Sequence, residues 1–109
     1  MASTSYRVLG QSNPAATTNT DIYTVPATAQ TVVSTLAVCN QSTTTTFRVS
    51  IRPGGASGNN QMFLIYDNYV NQYDTVFLTI GATLGNSDVV TVYAGSANLS
   101  FMLFGQEMS

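Results

Sequence analysis

Hydrophobic positions along this chain recur every second residue, and no stretch shows the sustained 3.6-residue period of a capped amphipathic helix. The clearest case is Phe47, Val49 and Ile51 alternating with Arg48, Ser50 and Arg52, which predicts a strand buried on one face. Residues 31–40 alternate too. A strict two-residue period puts Val32, Ser34, Leu36 and Val38 on one face, and Val33, Thr35, Ala37 and Cys39 on the other. Shorter strands are expected at 6–10, at 21–25 before Pro26, and at 75–80. The run 61–66 is almost continuously apolar and reads as a strand covered on both sides, followed by an aromatic, amide-rich connection over 67–74. After a return over 81–87, residues 88–94 are expected to pair with 98–104 across Gly95-Ser96-Ala97.

Turn chemistry punctuates these segments at Asn40-Gln41-Ser42-Thr43, Pro53-Gly54-Gly55 and Gly58-Asn59-Asn60. About eight short strands with regular turn signals predict an all-β fold, an antiparallel β-sandwich of Ig-like or jelly-roll-like type. The 109 residues suit a single domain. Residues 1–20 read as an N-terminal strand and an Ala/Thr/Asn-rich arm, and 21–109 as the sandwich body. The strand at 98–104 is unusual in being apolar on both faces: Leu99, Phe101 and Leu103 on one, Met102 and Phe104 beside Ser100 on the other. Its second face calls for a cover, either the N-terminal arm or a neighbouring subunit.

Composition narrows the function. The chain has no His, no Lys and no Trp, one Cys, and only 7% charged residues against a usual ~25%. His is the commonest side chain in acid–base catalysis, and a lone Cys39 with no His to deprotonate it is a poor nucleophile. No catalytic residue, cofactor or metal site is assigned, and no small-molecule substrate is expected. Three arginines and a net charge of −2 argue against nucleic-acid binding. No apolar run approaches the ~20 residues of a membrane span, and residues 1–5 lack the basic start of a signal peptide. The sequence therefore reads as a soluble protein made in a cytoplasm.

Three features invite chemistry. Asp67 and Asp74 flank Tyr66, Tyr69 and Tyr73, loosely like a sugar site with paired carboxylates; solvated loop carboxylates beside interface tyrosines are the simpler reading. Asn40-Gln41-Ser42 and Asn98-Leu99-Ser100 match the glycosylation sequon, which matters only in a secreted eukaryotic protein. Asp67-Asn68 and Asn86-Ser87-Asp88 offer oxygens, too few and too scattered for a calcium loop. The candidate interface residues are Tyr66, Tyr69, Tyr73, Met102 and Phe104, large side chains of the kind enriched in subunit contacts.

The segments 8–12 (VLGQS), 23–26 (YTVP), 34–40 (STLAVCN), 47–53 (FRVSIRP), 88–94 (DVVTVYA) and 99–105 (LSFMLFG) together resemble a family of small virion structural proteins of tailed bacteriophages, frequent in phages of cyanobacteria. The resemblance runs from Arg7 to Glu107 and carries no active-site motif. It implies a particle component, a capsid decoration (cement) protein acting as a homotrimer on the major capsid protein. Tail, neck, baseplate or fibre modules use similar domains and form the alternative within the particle. A carbohydrate-binding sandwich using Tyr66, Tyr69 and Tyr73 is the alternative outside it. The expected location is the virion, with partners being other copies of the chain and other virion proteins.

Overall fold

The computed structural model describes residues 4–108. It contains strands β1 (Thr4–Ser12), β2 (Thr20–Thr24), β3 (Gln30–Asn40), β4 (Thr45–Arg52), β5 (Phe63–Val70), β6 (Thr75–Leu84), β7 (Val89–Ala94) and β8 (Leu99–Met108). Short 3-10 turns at Pro53–Gly55 and Asn60–Met62 join β4 to β5. The strands form two four-stranded sheets, ordered β1-β8-β3-β6 and β2-β7-β4-β5, and every neighbouring pair is antiparallel. Strand β1 pairs with β8, β2 with β7, β3 with β6 and β4 with β5. That nesting is what a long hairpin gives when rolled over on itself, so of the two sandwich types expected the chain adopts the jelly roll.

The expected hairpin between 88–94 and 98–104 does not form. Strand β7 lies between β2 and β4 in the second sheet, and β8 lies between β1 and β3 in the first. Each has an inner face apolar enough to cover the other sheet. They therefore face one another across the core instead of sharing an edge. Leu36, Val38, Leu99, Phe101 and Leu103 from the first sheet meet Phe47, Val49, Val70, Val90 and Val92 from the second, all essentially inaccessible to solvent. Phe101 and Phe47 touch edge to face across the sandwich, with ring centroids 6.2 Å apart.

Three bulges cross the first sheet at one level. Leu9 is the extra residue of β1 against β8, Ser34 that of β3 against β8, and β6 carries an extra residue at Ile80-Gly81, with Gly81 at φ 65°. The Ser34 bulge reverses the alternation in β3. Val33 and Thr31 point into the core together with Leu36 and Val38, whereas Val32 shares the outer face with Thr35, Ala37 and Cys39. The strict period expected for this strand is thus corrected by one inserted residue.

The run 61–66 is not a doubly covered strand. Gln61 and Met62 belong to a 3-10 turn, and β5 starts at Phe63 and continues through Asp67 to Val70, where a connection was expected. It is the edge of the second sheet, so only Val70 is fully buried and Leu64 and Tyr66 are exposed. An edge strand has one missing neighbour, and its apolar side chains are left without a second wall.

The loop 13–19 crosses one end of the sandwich. Asn13 Nδ2 donates to the carbonyls of Ala97 and Leu99, and Thr17 N donates to Ala94 O. At the same end Asn40, 2% exposed, donates Nδ2 to the carbonyls of Thr43, Val70 and Asn71 and accepts from Ser42 N. One side chain thereby ties the β3–β4 turn to the β5–β6 turn. With its amide so engaged, this sequon is no acceptor in the folded chain.

Candidate functional site

The outer face of the first sheet is assembled from alternate residues of its strands. Because Leu99, Phe101 and Leu103 point inward, Ser100, Met102 and Phe104 point outward. Strand pairing then sets Val8, Phe104, Thr35 and Thr79 in one row, and Gln11, Met102, Ala37 and Phe77 in the next. Tyr6, Gln106, Val32 and Thr83 lie beyond the first row, with Cys39 and Thr75 beyond the second. None of these residues is charged. Phe77 is 70% exposed, while Met102, Phe104 and Cys39 are half-buried in a cleft of about 510 Å³ that Phe77 also lines. Asn13, the first residue of the 13–19 loop, lines one end of this cleft, and the loop then turns to the second sheet, where Thr17 N donates to Ala94 O.

Of the four sheet edges, one differs from the others. Edge β1 carries Arg7 and a bulge, β2 has five residues including Asp21, and β5 carries Asp67 at φ 52°. These are ordinary protections against edge-to-edge pairing. Edge β6 is ten residues long and has neither charge nor proline; the Ile80-Gly81 bulge is its single interruption.

The second sheet carries the polar outer face. Arg48 on β4 is held between the rings of Tyr66 and Tyr93, 4.2 and 4.4 Å from their centroids. It donates Nε to Asp67 Oδ1 at 2.6 Å, and this carboxylate raises its pKa further above the arginine value. Four residues along, Arg52 donates Nη2 to both oxygens of Asp21, Nε to Thr91 Oγ1, and Nη1 to the carbonyls of Gly55 and Ala56. Thr91 in turn donates to Asp21 Oδ1. Ser50 and Thr91, both buried, form the floor of a cleft of about 400 Å³ beside this pair.

The sequence-named residues separate onto different surfaces. Met102 and Phe104 lie on the outer face of the first sheet. Tyr66 and Tyr69 lie on the edge strand of the second, and Tyr73 lies in the following turn at φ 57°. Tyr69 and Tyr73 are among the most exposed large side chains, at 70% and 73%. Asp67 and Asp74 are not brought together as a pair. Asp67 binds Arg48, and Asp74 Oδ1 accepts from Thr75 N at the start of β6. Asp88 joins two turns, accepting from Gly54 N and Gly85 N. Among the described residues no three of His, Cys, Asp and Glu gather as metal ligands, and no helix is long and apolar enough to cross a membrane. Cys39 sits half-buried on the outer face, not in the core.

Sequence reasoning missed the cluster of Asp21, Ser50, Arg52 and Thr91. The signal was present in the polar positions of the 47–52 alternation, but its partners come from β2 and β7, which only the sheet order places alongside. No family model, no curated protein and no solved structure matches the chain.

Proposed function

We propose that the chain is a non-enzymatic structural component of a tailed-phage particle, a capsid decoration protein that works as a homotrimer. The observation carrying this reading is the uncharged outer face of the first sheet, with Val8, Phe77, Met102 and Phe104 across its centre and β6 as an uncharged edge interrupted by a single bulge. Such a face loses little by leaving water, since no charge has to be desolvated, and apolar area removed from water stabilises at about 25 cal/mol per Å². Jelly rolls occur in viral capsid domains, a fold-level analogy that favours the reading. Several modest contacts per trimer add through effective concentration, so a lattice can be held without any single strong one. By binding the closed shell in preference to its dissociated subunits, the protein stabilises the shell by mass action.

Deletion of the gene from the phage tests this. Particles without the protein are expected to assemble and package DNA but to lose heads on heating, and added protein is expected to restore resistance. Deleted particles that keep robust heads but lack tails or fail to adsorb would replace the head reading with a tail, baseplate or fibre one.

A further inference from the structure

We propose that the cleft on the outer face of the second sheet is a binding site for a neutral saccharide. The site is independent of the assembly reading, which uses the opposite face of the sandwich. Its lining is made of short hydrogen-bonding side chains around one aromatic ring: Ser50 and Thr91 in the floor, Asp21 and Arg52 along one wall, and Asn60 and Phe63 along the other. The volume of about 400 Å³ lies within the ~300–1,000 Å³ usual for ligand sites.

The charge of the ligand follows from Arg52. A guanidinium has five N–H groups, and the five hydrogen bonds of Arg52 go to Thr91, Gly55, Ala56 and both oxygens of Asp21. It has no donor to spare for a phosphate or carboxylate. Asp21, half-exposed, would repel such an anion. A cation gains little, because Arg52 already neutralises the one carboxylate present. What remains for a ligand is neutral hydrogen bonding: spare lone pairs on Asp21, and the Ser50 hydroxyl and Asn60 amide, which have no side-chain hydrogen bond among the described residues.

Phe63 supplies the apolar half of the recognition. A sugar ring presents hydroxyls at its rim and C–H groups on its faces, which suits a site of converging polar groups beside an aromatic wall. Phe63 packs edge to face on Tyr66 at 4.9 Å, and Asn60, Phe63 and Tyr66 line an adjoining cleft of about 380 Å³. The two clefts share Asn60 and Phe63, so a second sugar unit can continue toward Tyr66. An oligosaccharide therefore fits better than a single sugar.

Saturation-transfer NMR on the full chain tests the site. The probes are glucose, galactose, mannose, rhamnose and N-acetylglucosamine, their disaccharides, and glucuronic and sialic acids as anionic counterparts. At least one neutral sugar is expected to receive saturation, more strongly as the disaccharide. Ser50→Ala and Asn60→Ala are each expected to weaken it about tenfold, the scale of one lost hydrogen bond, with thermal unfolding unchanged. Asn60 is exposed, so its variant reports on the site even if Ser50→Ala perturbs the sheet. The proposal is overturned if no neutral sugar binds at ~10 mM, weaker than the millimolar end of useful affinity. It is equally overturned if the acids bind better than their neutral counterparts, or if Asn60→Ala binds as the parent does.

Discussion

Tyr23 of β2 donates its phenolic proton to Glu107 of β8 at 2.5 Å, a bond that joins the two sheets at the end of the sandwich remote from Asn40. Thr31 Oγ1 lies 2.8 Å from the same hydroxyl, and Arg7 reaches the same carboxylate oxygen at 3.1 Å. The hydrogen bond from Tyr23 holds the Glu107 carboxyl below its ordinary value of 4.5, with Arg7 adding to the effect against a smaller opposing pull from burial. Burial first, and the neighbouring carboxylate second, push Tyr23 up to about 12.

The pH dependence has a definite sign at each end. Below pH ~4.5 the unfolded chain protonates Glu107 before the folded chain does, so stability falls as pH drops through the folded-state value. Above pH ~10 the unfolded chain ionises Tyr23 first, so stability is full below that point and is lost as pH rises toward 12. Urea midpoints taken across pH should show both losses. Tyr23→Phe should remove the alkaline loss arising at this residue, shrink the acid one, and cost about 1–2 kcal/mol near neutrality.

Truncating Phe101 to Ala should cost about 3–5 kcal/mol, a large part of the ~5–15 kcal/mol that holds a domain together. Its ring meets Phe47 from the other sheet, so the two positions should couple. A double-mutant cycle of Phe47→Leu and Phe101→Leu, read by denaturant unfolding, should give an interaction of about 0.5–1.5 kcal/mol. Purely additive effects would mean the sheets do not meet here.

Asn40 should tolerate neither Ala nor Asp. Alanine leaves the buried carbonyl of Val70 and the partly buried one of Asn71 without their donor, at roughly 1–3 kcal/mol. Aspartate is worse, because it turns a carboxylate oxygen toward the same carbonyls. Thermal unfolding of both variants gives the order, and hydrogen exchange should show the 71–74 turn opening first.

Placing a charge on the outer face of the first sheet should separate assembly from folding. Phe77→Lys changes a side chain that is 70% exposed, so unfolding should move by no more than about 0.5 kcal/mol. Sedimentation should show the parent chain self-associating and the Lys variant shifted toward monomer. A parent chain that stays monomeric at high micromolar concentration would count against the homotrimer.

The two-residue alternation of Phe47, Val49 and Ile51, and the inward set of Leu99, Phe101 and Leu103, were legible in the sequence because strand geometry alone sends alternate side chains to opposite faces. Val49 and Phe47 are fully buried, Ile51 partly, and Arg48 faces out; Ser50, on the same outer side, is nonetheless buried beneath its neighbours. The sequence by itself determined an all-β sandwich of about eight strands. It could not determine which strands become neighbours, since backbone pairing in a sheet is nearly indifferent to side chain and depends on which inner faces fill the core together. That is why β7 and β8, adjacent in the chain, lie in different sheets. Nor could it show the inserted residue at Ser34 that returns Val33 to the core, or the exposure of the apolar run in β5, which follows from its place at an edge. Tertiary structure alone put the Arg48–Asp67 and Arg52–Asp21 pairs on the outer face of one sheet and confined the charge of the other to Arg7 and Glu107 at one end, because that division arises only when strands distant in sequence are laid side by side.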